Sequence, residues 1–306
     1  MEPTFLFALC APGAERTLKE EVERRRLAWS PAYQRPGFVT FKGEAESLPD
    51  LVFAREVSWS CGRGLDVPAD AELVRVSPCT PELRDPAQAL ARVLASPARP
   101  PRAGERVAEV VVVGPDETWI GTHLHGAAHS IHPGGWWPEE TPPEAPSRAF
   151  AKLEAVLAWF GLEPNAGERA VELGSSPGGA SWSLLLRGLE VTGVDPAEMD
   201  PRVLAHPAFH HLQVSATALS IDALPPRVEW LLADMNVAPR LTLRTARTIA
   251  AAHAPRAIVL TMKLKQWELA RALPDWIAEV RGWGYRQVHA KQLSPHRQEL
   301  ALVAWR

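Results

Sequence analysis

Ten residues, Ala170–Gly179 (AVELGSSPGG), join an apolar run to an acid and then to a loop holding three glycines and a proline. Glycine admits positive φ and lets a ligand press against bare backbone. The helix that ASWSLLLRG begins would add free N–H groups at its start. Glu172, Gly174, Ser176, Pro177, Gly178 and Gly179 are therefore candidate ligand-binding residues. Their spacing, G-x-x-x-G-G, is not the G-x-G-x-x-G of dinucleotide sites, and no Gly-Lys-Ser/Thr follows to make a P-loop. Asp195 ends the apolar run LEVTGVD, 21 residues after Gly174. An acid there suits both hydroxyls of a ribose, although Pro196 beside it also suits a plain turn. Four more charged residues could do acid–base work: Lys152, Asp234, Lys263 and Glu299. A neutral lysine amine is a competent general base, and carboxylates can hold and orient it.

The elements that must position these residues follow from the pattern. A helix is expected over about 148–160, then strand RAVELG, a helix over 180–188, strand LEVTGVD and a short strand near HLQV. Strand VEWLLADM, a helix over 240–253, strand RAIVLTMK, a helix over 265–282 and strands YRQVHAKQL and ELALVAW complete the order. Strands alternating with helices predict a doubly wound parallel sheet. SPHRQ is too short for a crossover, so the last two strands form an antiparallel hairpin. The expected fold class is α/β: a Rossmann-like, mostly parallel sheet with one antiparallel end strand. Ligands of such sheets sit beyond the C-terminal strand ends. Asp234 and Lys263 end strands, Glu299 opens the antiparallel one, and Lys152 lies in the helix entering the first strand. All four should gather beside the glycine loop.

Residues 1–132 predict a small α+β domain with strand FLFALCAPG, helix ERTLKEEVERRR, strand GFVTFKG, helix PAQALARVLAS and strand RVAEVVVVG. Proline-rich residues 133–147 are expected as a linker and 148–306 as the second domain. No apolar stretch is long enough to span a bilayer. The N-terminus carries an acid where a signal peptide needs positive charge, so it reads as the first strand. Cys10, Cys61 and Cys79 make no paired framework, and reduced thiols in a cytoplasmic protein are expected. Residues 1–146 carry 15 Lys+Arg against 21 Asp+Glu, and residues 147–306 carry 18 against 15. The mildly basic second half, with Arg240, Arg244, Arg247 and Arg297, is compatible with a polyanionic substrate. The run THLHGAAHSIH offers His123, His125, His129 and His132. No cysteine or acid is interleaved and the spacing matches no zinc template, so no metal is expected. This segment reads as a loop, with Trp136 and Trp137 either packed under the linker or presented for base stacking.

The glycine loop resembles motif I of S-adenosylmethionine-dependent methyltransferases. The order Lys152, Asp234, Lys263, Glu299 resembles the K-D-K-E tetrad of FtsJ-type ribose 2′-O-methyltransferases. The strings APSRAFAKLEAVL, LLADMNVAP, TMKL and KQLSPHRQELALV are similar to the RlmM-type 23S rRNA cytidine 2′-O-methyltransferase family. The likeness runs from Pro146 to Arg306 and continues more faintly through LVFAREVSW, in the region where that family carries a THUMP-type RNA-binding domain. It implies S-adenosylmethionine as cofactor, held by the loop residues, Asp195, Asp234 and the position of Ser215. Relatives place an acid for the adenine amino group at that last position; with serine there, backbone groups or Asp222 must serve. The resemblance also implies Lys263 as base, Lys152 as a second cation lowering its pKa, and Asp234 and Glu299 as orienting acids. The implied partner is large-subunit rRNA, with no membrane, no metal and an unspecified oligomeric state. The loop DMNVAP lacks the Asn/Asp-Pro-Pro-aromatic arrangement that base N-methylation typically uses, which favours a hydroxyl acceptor. Other readings are the same apparatus acting on tRNA or a small hydroxylated metabolite, and a non-catalytic RNA- or ribosome-binding protein.

Overall fold

Aromatic and β-branched runs build the first half of the chain into strands. In order these are β1 (Thr4–Leu9), helix α1 (Glu15–Arg24), β2 (Trp29–Arg35), β3 (Phe38–Gly43), β4 (Glu56–Arg63), β5 (Leu73–Pro78), helix α2 (Arg84–Val93), β6 (Arg106–Gly114) and β7 (Glu117–Leu124). The sheet order is β2-β3-β1-β4-β7-β6-β5, antiparallel at every junction except β5–β6. Phe7, Leu9, Phe38, Val111 and Val113 pack into one part of its core. A computed structural model describes residues 4–138 and 142–306 and divides into two compact units, Met1–Trp137 and Pro138–Arg306.

Four of these strands, β2, β4, β5 and β7, were not expected from the sequence. β2 exposes most of its residues and carries Pro31. β4 and β5 bury charge where a strand pattern should show apolar side chains: Glu56 and Arg75 are each 1% exposed. They are tolerated because Arg75 is paired with both Glu56 and the equally buried Glu109, as buried charges must be. Pro133–Gly135 forms a 3-10 turn with Gly134 and Gly135 buried. The Arg55 guanidinium lies 4.1 Å from the Trp136 ring centre, and Trp136 Nε1 donates to the Pro78 carbonyl at 2.6 Å. The expected linker thus opens with residues packed into the first unit, and Trp136 is a packing residue rather than a stacking platform. Residues 139–141 of that linker lie outside the described residues.

The second unit contains α3 (Ala149–Phe160), β8 (Arg169–Leu173), α4 (Gly179–Leu185), β9 (Glu190–Val194), α5 (Pro201–Leu204) and β10 (Phe209–Leu212). They are followed by β11 (Trp230–Ala233), α6 (Pro239–His253), β12 (Ala257–Lys263), α7 (Leu273–Arg281), β13 (Gln287–Lys291) and β14 (Glu299–Trp305). β11, β12 and β14 are buried almost end to end, as strands covered on both faces should be. The order is β10-β9-β8-β11-β12-β14-β13, with every pair parallel except those made by β14. The one antiparallel strand is the last in sequence, yet it occupies the next-to-edge place, between β12 and β13. The helix expected over 265–282 is a 3-10 turn (Trp267–Ala272) leading into α7.

Candidate active site

The crossing point of this sheet lies between β8 and β11, where the strand order reverses, and ligands collect outside such points. Leu173 and Ala233 are register partners at the ends of β8 and β11. The chain then turns at Gly174 on one side and Asp234 on the other. Gly174 has φ +77°, and a Cβ there would stand 2.8 Å from the Asp234 carbonyl oxygen. Gly178, at φ +115°, would press a Cβ within 2.8 Å of Val203. Only glycine combines those dihedrals with those approaches. Gly179 meets the entry to α3, its Cβ position lying 2.3 Å from the Ser147 hydroxyl. These glycines serve the protein's own packing, which fixes the loop 174–179 against its neighbours.

Asp195 follows β9 and is half-buried. Its Oδ2 accepts from the Ser176 amide at 3.1 Å and its Oδ1 from the Ala197 amide at 2.8 Å. A carboxylate has about four lone-pair directions, so two remain for a diol. Ser176 Oγ donates to the Glu198 carbonyl at 2.7 Å, and the Ser176–Pro177 peptide is cis. Glu172 is turned inward and is 1% exposed, taking the Ser181 hydroxyl at 2.5 Å. Burial pushes its carboxyl up to about 8 despite that hydrogen bond. Ser215 sits on an exposed turn with its hydroxyl 3.2 Å from that of Thr217.

The four charged residues meet in a closed ring. Lys152 Nζ donates to Asp234 Oδ2 at 3.0 Å and to Glu299 Oε2 at 2.5 Å. Lys263 Nζ donates to Asp234 Oδ1 at 2.6 Å and to Glu299 Oε1 at 2.9 Å. Three local facts produce this. Lys263 and Glu299 are direct partners in the β12–β14 register. Asp234 continues β11, whose Ala233 pairs with Leu260 of β12. Lys152 lies in the first turn of α3 and is 9% exposed. Burial raises the Asp234 carboxyl, but Lys152 and Lys263 outweigh it and hold the group below its ordinary value. Burial likewise lowers Lys263, yet Asp234 and Glu299 leave it above its ordinary value. The expectation that Lys152 keeps Lys263 depressed is therefore corrected: with both acids in place, Lys263 is a protonated amine.

Two supports went unnoticed in the sequence. Gln292 Nε2 donates to the carbonyls of Arg297 and Glu299, at 2.6 and 3.3 Å, pinning the start of β14. His296, 1% exposed, lines a cavity of about 20 Å³ with Lys152, Glu172, Asp234 and Thr261. That is room for one water. Burial, with help from the Lys152 charge, pushes His296 down to about 4, so it is neutral. Both residues lie within KQLSPHRQELALV, but only the folded hairpin turns them toward the ring.

The ring thus stands at the C-terminal edge of a mostly parallel sheet, beside a glycine loop and a strand-end acid. Residues 145–274 match the FtsJ-like methyltransferase family, and with the named relatives this match makes the chain an S-adenosylmethionine-dependent methyltransferase. Over nearly its whole length the chain is similar to Ribosomal RNA large subunit methyltransferase M of Halorhodospira halophila, at 29% identity covering 97% of this chain and 95% of that one. The protein of the same name from Laribacter hongkongensis is 28% identical, with 95% and 94% covered. Among solved structures, a ribosomal RNA methyltransferase described as putative, from Plasmodium falciparum, overlays with a TM-score of 0.40 at 17% identity, covering 52% of this chain and 97% of that one. No helix among the described residues is long and apolar enough to cross a membrane.

Proposed function

We propose that this protein methylates a ribose 2′-hydroxyl of large-subunit rRNA, on a cytidine, with Lys152, Asp234, Lys263 and Glu299 as its catalytic group. The closed ring of two amines and two carboxylates carries the reading. When bound, S-adenosylmethionine supplies a sulfonium methyl group for in-line displacement by an oxygen nucleophile. The donor set fits that cofactor. Asp195 has lone pairs left for a ribose diol, the loop 174–179 is held rigid, and the turn bearing Ser215 is open to the adenine side.

A ribose hydroxyl is a weak nucleophile and must lose its proton as the new O–C bond forms. Lys263 Nζ is the acceptor, taking that proton once it is itself neutral. Asp234 and Glu299 aim the amine, and Lys152 ties the two acids together from the opposite side. Water exclusion and an added neighbouring cation both lower a lysine pKa, against the two carboxylates that raise it here. Much of the remaining rate comes from positioning. The acidic first unit is assigned to presenting RNA rather than to chemistry, and the domain division is taken after Trp137, inside the proline-rich stretch.

Transfer of labelled methyl from S-adenosylmethionine to unmodified large-subunit RNA, followed by nucleoside analysis, tests the reading. The expected product is 2′-O-methylcytidine, with the adjoining phosphodiester resistant to alkali because its 2′-oxygen can no longer attack. A base-methylated nucleoside, cleaved normally by alkali, refutes it.

A further inference from the structure

The histidine run fails as a zinc template in sequence because its missing acid comes from another strand. Glu56 opens β4, His123 lies near the end of β7 and His129 follows β7, and one ligand atom from each falls within 4.8 Å of the others. Glu56 and His123 are each 1% exposed, and the His129 side chain is 9% exposed. His123 Nδ1 lies 3.1 Å from the Ser58 hydroxyl, and its buried Nε2 finds no partner among the described residues. His129 Nδ1 lies 2.7 Å from Glu56 Oε1. A third imidazole, His125, is ring-centred 6.1 Å from His123, and its Nδ1 is also buried without a partner among the described residues. An orphaned buried nitrogen costs about 1–3 kcal/mol, so two of them on neighbouring rings call for a partner.

We propose that Glu56, His123 and His129 bind a divalent transition-metal ion, Zn²⁺ by donor type, which clamps the segment after β7 to β4. Imidazole and carboxylate are zinc ligands, and three protein ligands leave the fourth tetrahedral position to water or His125. The charges allow it. Arg75 is shared by Glu56 and Glu109, and the Ser130 amide and Arg75 both take Glu56 Oε2. Oε1 accepts the Val57 amide at 3.1 Å and faces His129 Nδ1 at 2.7 Å, so the ion takes its remaining lone pair in place of the His129 contact. The rings of His123 and His129 are stacked 3.9 Å apart with 6° between planes. Capture therefore turns His129, the less buried ring, so that both lone pairs face one ion. The Ser58 contact is the outer hydrogen bond that orients a metal-bound imidazole.

Untagged full-length protein, stripped with chelator and dialysed, is titrated with Zn²⁺ by calorimetry and with Co²⁺ by visible absorption. One Zn²⁺ per chain and tetrahedral Co²⁺ bands are expected. Replacing a ligand should cost at least as much as losing an outer partner, so His129→Ala weakens Zn²⁺ binding by about tenfold or more and abolishes the bands. His210→Ala, an exposed histidine of the second unit, changes neither. Less than stoichiometric uptake by the wild type, or uptake unchanged in His129→Ala, overturns the proposal. The wild-type Co²⁺ spectrum decides even where a variant fails to fold, because a six-coordinate or absent spectrum also overturns it.

Discussion

Replacing Glu299 by glutamine removes one negative charge from the ring while keeping an oxygen for Lys263. The carboxylate stands 2.9 Å from Lys263 Nζ and 2.5 Å from Lys152 Nζ, with the lysine side chains 14% and 11% exposed. Unit charges about 4 Å apart interact by about 4 kcal/mol at an effective dielectric of about 20. The amide oxygen retains one hydrogen bond and solvent reaches part of the ring, so we take half of that, about 2 kcal/mol. At about 1.36 kcal/mol per pH unit, the pH at which Lys263 loses its proton falls by about 1–2 units. Because Lys263 acts as the neutral amine, and its pKa is raised in the free protein, wild-type kcat/KM should climb with pH. With labelled methyl transfer to RNA, its logarithm is expected to rise with a slope near one between about pH 6.5 and 9. Glu299→Gln, whatever its maximum, should level off earlier, by about 1–2 pH units. A wild-type profile flat over that range, or a variant whose limb stays put or moves to higher pH, refutes Lys263 as the titrating base.

Lys263→Met should lower kcat by about 10²–10⁴, the usual worth of a general base, while exposed Lys265→Met stays within about twofold; the reverse ranking transfers the role to Lys265. Asp195→Ala should weaken S-adenosylmethionine binding in calorimetry by about tenfold or more, and unchanged affinity removes Asp195 from the cofactor site. Lys152→Met leaves Asp234 with one cation, at a cost of about 1.5–3 kcal/mol for a charged hydrogen bond. Asp234 is depressed by its lysines, so that stabilisation is present above the ordinary aspartate pKa and is lost as pH falls through the folded value. The Tm gap between wild type and Lys152→Met should therefore be widest near neutrality and close in acid; a gap that widens in acid contradicts the pairing. A fragment beginning at Pro142 should still melt cooperatively and bind cofactor while losing transfer to rRNA; unchanged transfer reduces the first unit to a scaffold.

The second unit was legible because its signals are local. Apolar runs ending in an acid or a lysine, glycines at a strand-to-helix turn, and a five-residue joint between the last strands each fix an element and its polarity. From these the sequence determined the parallel sheet, the antiparallel hairpin and the edge on which Lys152, Asp234, Lys263 and Glu299 gather. The fold decided what they do to one another. Setting Lys263 opposite Glu299 across β12 and β14 and bringing Lys152 in from α3 closes a ring that raises Lys263 instead of lowering it. Tertiary structure likewise turned Glu172 inward, spent the loop glycines on the protein's own packing and placed His296 behind the ring. In the first unit β4 and β5 escaped notice because Glu56 and Arg75 occupy core positions. A buried charge reads as surface until its partner is known, and Arg75 finds its partners 19 residues before it and 34 after. Such pairing distances leave no period in the sequence, so only the folded sheet reveals them.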